Sequence, residues 1–304
     1  MGLAGIAFFV VAVYALYTKL SRHSFSEIHG AMAAIPNLNL LLALMAAALS
    51  YSVLASYDWL ALRYIGKKLT AWKWMLAGFM GFSITNNAGT AIVSGAAMRY
   101  RLYTMWKVQL PDIFKMIIFS GFTYLTGCFF LLTVAYFLVP EYIRSEGIVA
   151  FIFWPSLIAL VSYFLVTTFY KGRRVNVGED YSVEIPSNRI VVMQGVLGML
   201  DTFTASLVMY ALLSPLVQVD FATFVGVFVV SQVIGVYTPV PGALGVFEGL
   251  FMFLLPEAEG NEVAVFAALI AYRIIYFLIP LMITGGIMTG MSIASKMRTR
   301  KGLV

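Results

Sequence analysis

The chain has 304 residues, 61% of them hydrophobic and 11% charged, with a mean hydropathy of +0.90; so few polar side chains cannot cover a soluble globule of that size, and the sequence is that of an integral membrane protein. Its formal charge of +6 needs no nucleic-acid partner, because Lys and Arg collect in cytoplasmic loops and near anionic headgroups. The single cysteine, Cys128, excludes an intrachain disulfide and a cysteine-based metal cage.

In chain order, the first apolar stretch is 2–18, read as a retained helix because it has neither a basic leader nor a cleavage pattern. A polar loop follows that holds His23 and His29 without a carboxylate cluster, which argues against a metal site there. Further stretches long enough to approach or cross a hydrocarbon core lie near 39–60, 112–139, 148–170, 190–213 and 262–294. Two others, near 72–98 and 218–256, are interrupted. No strand-like alternation is sustained, so the expected fold is an all-α polytopic helical bundle, a single transmembrane domain over 1–304 with repeat halves at about 1–147 and 148–304.

The first interruption runs from Gly81 through Thr85, Asn86, Asn87, Gly89, Ser94 and Gly95 to Arg99 and Arg101. The second runs from Gly235 through Thr238, Pro239, Pro241, Gly242 and Gly245 to Glu248 and Gly249. Broken backbone at membrane depth persists only where protein or a water-filled cavity satisfies it, so Gly89, Gly95, Pro239, Pro241, Gly242 and Gly245 are read as backbone breaks. Breaks at corresponding places in two halves point to a binding site.

Loop charges give the topology. Four regions are basic: Arg63 to Lys73, Arg99 to Lys115, Lys171 to Arg189, and Lys296 to Lys301. The positive-inside rule makes them cytoplasmic. The stretch 72–98 then begins and ends on the cytoplasmic face, so it dips in and returns. The loop with Glu257, Glu259 and Glu262 carries no Lys or Arg, which makes 218–256 a hairpin from the external face. One re-entrant hairpin opens to each side, as in inverted repeats, and both termini are expected to be cytoplasmic. Lys19 and Arg22 in an external loop are an exception to the rule.

Charges inside apolar stretches are costly, about 2.5 to 3.5 kcal/mol at the centre on insertion scales, and generally face a partner or a cavity. They are Asp58, Asp201, Glu248 and Arg273. For Arg273 a structural pair with a carboxylate competes with a functional role, and for Asp58 an ordinary interfacial carboxylate does. Arg99 and Arg101 bring guanidinium groups, which bind phosphate bidentately, to the cytoplasmic return of the first hairpin; the alternative is plain positive-inside anchoring. Asn86 and Asn87 repair unwound backbone or touch polar parts of a lipid. Phosphate-loop, zinc-protease and serine-elbow motifs are absent, and no cofactor is expected.

Several of these runs together resemble the transmembrane region of bacterial lysylphosphatidylglycerol synthases, the multiple peptide resistance factor family. They are Tyr57-Asp58 with Leu60 to Lys67, Thr85 to Gly89 with Ser94-Gly95 and Arg99 to Tyr103, Leu200-Asp201, Pro241 to Glu248, and Tyr272 to Tyr276 before Pro280. At 241–243 the chain has Pro-Gly-Ala where the family commonly has Pro-Gly-Gly.

The resemblance implies a lipid translocase that carries aminoacyl-phosphatidylglycerol to the outer leaflet of a bacterial cytoplasmic membrane and so confers resistance to cationic antimicrobial peptides. Full-length members add a cytoplasmic domain that transfers lysine or alanine from aminoacyl-tRNA to phosphatidylglycerol; these 304 residues leave no room for it, and the close matches favour the flippase part of a longer protein over a stand-alone relative. Under this reading Arg99 and Arg101 capture the lipid phosphate. Asp58, Asp201 and Glu248 attract the amines, and Arg273 neutralises a carboxylate in the empty cavity. The competing classes are a bundle that presents phosphatidylglycerol to a fused or partner synthase, and a scaffold whose charges only organise helices. The partners implied are a phospholipid, the synthase domain and a second copy of the chain.

Overall fold

The computed structural model describes residues 24–87, 91–145, 147–177, 181–238 and 240–300. The apolar stretch 2–18, His23, Gly89 and Pro239 lie outside the described residues. A reciprocal capping box starts helix α1 (Phe25–Ala33): the Glu27 N–H donates to Ser24 Oγ, and the Ser24 N–H to Glu27 Oε2. The segment read as a polar loop is therefore helical from Phe25, and His29 sits in that helix.

Among the described residues, five helices are long and apolar enough to cross a membrane. They are α2 (Asn37–Tyr64), α5 (Leu110–Leu138), α7 (Gly147–Tyr170), α8 (Asn188–Leu213), and a continuous helical run of α11 (Glu262–Tyr272), a π-helical segment (Arg273–Leu278) and α12 (Ile279–Arg300). The fold is an all-α polytopic membrane bundle, as the composition requires. A short helix, α6 (Glu141–Arg144), joins α5 to α7. The basic loop after α7 is more ordered than the sequence reading allowed, because β1 (Arg174–Val177) pairs antiparallel with β2 (Tyr181–Glu184).

The two interrupted stretches become pairs of shorter helices. The first is α3 (Ala71–Asn87) with α4 (Ala91–Met105), and the second α9 (Phe221–Tyr237) with α10 (Val246–Leu254). The longest of these has 17 residues, about 25 Å at 1.5 Å per residue, short of the roughly 20 residues a span needs. Each pair is a hairpin with its two ends together. Trp72, at the start of α3, meets Trp106, just past α4, with ring centroids 5.6 Å apart. Phe224 of α9 meets Phe251 of α10 at 5.8 Å.

Helix α8 shows that the hairpins open toward opposite ends of the bundle. Its first residue follows the β-hairpin, where the Tyr64 hydroxyl donates to the Glu184 carbonyl and Lys67 Nζ lies 2.9 Å from Asp112, at the base of the first hairpin. At its other end Tyr210 packs on Phe221 and Phe224 at the base of the second, at 5.0 and 5.1 Å. Glycines bring helices together where needed: a Cβ on Gly127 of α5 would lie 2.1 Å from the Gly198 backbone of α8. Gly95 plays the same part and corrects the sequence reading. It lies inside α4, where a Cβ would fall 1.8 Å from Thr85 Oγ1 and 2.8 Å from the Gly81 carbonyl, so it closes the hairpin arms and does not break the backbone.

Candidate functional site

The tips of the two hairpins meet. The break in the second is made by Gly242 at φ +56°, Ala243 at φ +50° and Gly245 at φ +77°, with Pro241 opening a single 3-10 turn. A Cβ on Gly242 would stand 3.2 Å from the Asn86 carbonyl oxygen at the end of α3. The backbone turns at Gly242 and Gly245, and Arg273 satisfies two carbonyls of the turn: its Nη1 donates to Gly242 O at 2.5 Å and its Nη2 to Ala243 O at 3.5 Å. Arg273 Nε donates to Glu248 Oε1 at 2.5 Å, and Glu248 Oε2 accepts the Gly245 N–H at 2.8 Å, which caps α10 at its third residue. The guanidinium also lies 4.5 Å from the Phe277 ring centroid.

The π segment has a local cause. Pro280 has no N–H for the carbonyl of Tyr276 four residues earlier, and its ring crowds that carbonyl, so the helix widens there. The freed groups find partners on other helices. The Tyr51 hydroxyl of α2 donates to Tyr276 O at 3.0 Å, and Asn87 Nδ2 donates to Phe277 O at 3.2 Å and to Ser83 O at 2.8 Å. Asn86 Nδ2 reaches the Tyr51 hydroxyl at 3.4 Å. Both asparagines therefore join the first tip to neighbouring elements.

A second ion pair mirrors the first with the elements exchanged. Arg99, on the returning arm α4, donates from Nε to Asp58 Oδ1 at 3.0 Å and Oδ2 at 3.1 Å, on the spanning helix α2. Tyr103, one turn beyond Arg99, donates to Asp58 Oδ2 at 2.8 Å. The Arg99 guanidinium lies 4.3 Å from the Phe82 ring centroid and passes close over Gly81, where a Cβ would be 2.9 Å from Arg99 Cζ and would push the guanidinium aside. Relative exposures are 0% for Asp58 and 4% for Arg99, so the pair is shielded by protein on all sides. Arg99 Nη2 is buried and has no hydrogen-bond partner among the described residues. Arg101, two residues on, is exposed on the other face of α4, so the two arginines do not form one clamp.

Asp201 stands apart from both pairs. It is the 14th residue of the 26-residue α8, 2% exposed, and its oxygens accept from Ser50 Oγ at 3.2 Å and Tyr57 OH at 3.1 Å. The charged residues were legible in the sequence; Ser50, Tyr51 and Phe82 were not picked out, and Tyr57 and Tyr103 were named only within the runs that carry the resemblance. The seven-residue spacing of Ser50 with Tyr57 and of Tyr51 with Asp58, two helical turns each, is the signal that marks that face of α2.

A shallow cavity of about 310 Å³ lies away from these charges, between Tyr64 and the segment Glu184–Ile190. Asp58, Arg99, Asp201 and Glu248 are buried, and Arg273 is partly exposed.

No family model matches the chain. It is 32% identical over 286 residues to an uncharacterised protein of Synechocystis, and 27% identical over 285 residues to the inner membrane protein YbhN of Escherichia coli. Each match covers 91% of this chain and 87% of the relative. It is also 23% identical over 281 residues to the phosphatidylglycerol lysyltransferase of Staphylococcus xylosus, where the match covers 91% of this chain and 32% of that enzyme. The chain belongs with these proteins to one family of polytopic membrane proteins, which includes the transmembrane region of the multiple peptide resistance factors, the phosphatidylglycerol lysyltransferases.

Proposed function

We propose that the chain is a lipid translocase of a bacterial inner membrane, which passes a phospholipid headgroup from the cytoplasmic to the outer leaflet between the two hairpin tips while the acyl chains stay in lipid. The observation that carries this is the meeting of two oppositely opening hairpins at Asn86 and Gly242, with a buried Arg–carboxylate pair beside each. Each hairpin enters the membrane from its own face, and passage of the headgroup requires the tips to part. The termini and the basic loops face the cytoplasm.

The unpartnered Arg99 Nη2 is the group that takes a phosphate oxygen, since a guanidinium already neutralised on one edge still presents donors on the other. Arg101, at the surface, attracts the anionic headgroup before capture. Asp58 and Glu248 exchange their arginine partners for the ammonium groups of the cargo. The names of the staphylococcal relatives supply the substrate class, phosphatidylglycerol or its lysyl ester. Outward delivery of a cationic lipid lowers the negative surface charge that draws cationic peptides.

The second reading is presentation of phosphatidylglycerol to a synthase domain, favoured by the match to about a third of the lysyltransferases. Reconstitution of this chain alone in vesicles with head-labelled phosphatidylglycerol and lysylphosphatidylglycerol separates the two. A translocase exchanges label between leaflets faster than protein-free vesicles do. Exchange at the protein-free rate for both lipids, with lipid binding retained, leaves presentation as the role.

A further inference from the structure

Asp201 is the buried charge that the headgroup reading does not need. A carboxylate at the middle of a membrane helix ordinarily has a cationic partner, because the effective cost of burying an ion is several kcal/mol. Here the partners are two hydroxyls, Ser50 and Tyr57, and the other titratable groups facing it are Tyr51, Tyr124, Cys128, Tyr272 and Tyr276. All of these are neutral in their ordinary states at neutral pH. Arg99 is held by Asp58 and Arg273 by Glu248. Asp201 is 2% exposed and each of its oxygens accepts from a neutral hydroxyl, so no cation balances it among the described residues.

We propose that Asp201 is a proton-binding site whose loading and release are coupled to passage of the headgroup between the hairpins, an inference that rests on the translocase reading. Its two hydrogen-bond arms lead to the two ion pairs. Tyr57 is the chain neighbour of Asp58. On the other arm Ser50 Oγ lies 2.9 Å from the Tyr276 hydroxyl, and Tyr276 stands three residues after Arg273 on the π segment. A shift of either pair therefore moves a donor on Asp201.

The chain of hydroxyls serves both protonation states. With Asp201 ionised, the Ser50 hydroxyl donates to it and the Tyr276 hydroxyl donates to Ser50. With Asp201 protonated, its O–H donates to Ser50 Oγ, and the Ser50 and Tyr276 hydroxyls turn over in sequence. One O–H bond forms on Asp201 as a proton arrives from water at one face, and the same bond breaks as the proton leaves to the other. Inward movement of one proton against outward movement of one lysyl lipid, with two ammonium groups and one phosphate, transfers no net charge.

The test uses the full chain in vesicles with labelled lysylphosphatidylglycerol and an imposed pH gradient, together with infrared difference spectra of the purified protein. For one proton per lipid, each pH unit shifts the steady-state leaflet ratio about tenfold, and a trapped pH dye reports proton movement with the lipid. In Asp201→Asn, which keeps an acceptor and a donor for Ser50 and Tyr57, the ratio stays near that without a gradient. A carboxylic-acid C=O band that titrates in the parent protein is absent from that variant. Exchange that is faster than in protein-free vesicles yet indifferent to the gradient overturns the coupling and leaves the translocase intact. Absence of exchange removes the translocase reading and the coupling with it. A titrating band that persists in Asp201→Asn, or no such band in the parent, overturns the site whatever the transport result.

Discussion

The Gly242 Cα and the Asn86 carbonyl oxygen are so close that an added Cβ would lie 3.2 Å from that oxygen, with Arg273 Nη1 at 3.3 Å on its other side. This contact joins the tips of hairpins that start at opposite ends of the bundle. Gly242 also holds φ at +56°, where an L side chain costs about 1 to 2 kcal/mol. Gly242→Ala is expected to lower the unfolding midpoint in detergent and to slow leaflet exchange. Gly290→Ala, in α12 where a Cβ meets nothing within 4 Å, is expected to do neither.

Neutralising one member of the Asp58–Arg99 pair leaves an uncompensated buried charge, at a cost of about 3 to 5 kcal/mol. Asp58→Asn and Arg99→Gln are each expected to lose stability on that scale, and the double variant to recover most of it. The double variant is expected to remain inactive in exchange, because the phosphate donor is gone. A double-mutant cycle on thermal unfolding, run beside the exchange assay, checks both expectations.

Gly81 gives the Arg99 guanidinium its place over Phe82. Gly81→Ala is expected to displace Arg99 and to weaken binding of a phosphatidylglycerol analogue, with a stability loss of about 1 to 3 kcal/mol from overpacking. Titration of the analogue against the purified variant reads the first effect, and the unfolding midpoint the second.

The Tyr51 hydroxyl replaces the N–H that Pro280 lacks. Tyr51→Phe leaves the Tyr276 carbonyl short of a donor, at about 1 to 3 kcal/mol. In a Pro280→Ala background the helix supplies that N–H, so the same substitution is expected to cost clearly less. Equal costs in the two backgrounds, measured by unfolding, would show that the proline is not the cause of the π segment.

Spans were legible because burying a helix in lipid demands long apolar runs, and five of the six expected were found among the described residues. The breaks at Gly242 and Gly245 were legible because positive φ favours glycine. Gly95 misled because a glycine needed for close packing looks in sequence like one needed for a bend. The partners of the charges were not legible. Asp58 and Arg99 are 41 residues apart and Ser50 and Asp201 are 151 apart, and no periodicity within one helix specifies its neighbour. The capping box at Ser24 and Glu27 could have been read, since its three-residue spacing is a local signal.

The most direct test holds the two tips together. With Cys128→Ala removing the native thiol, Asn86→Cys and Ala243→Cys are bridged by a short, reducible bifunctional thiol reagent in reconstituted vesicles, and leaflet exchange of labelled lysylphosphatidylglycerol is followed. The account predicts exchange faster than in protein-free vesicles before bridging, loss of it on bridging and return on reduction. Exchange at the protein-free rate throughout, or exchange that bridging leaves unchanged, contradicts passage of the lipid headgroup between the hairpins.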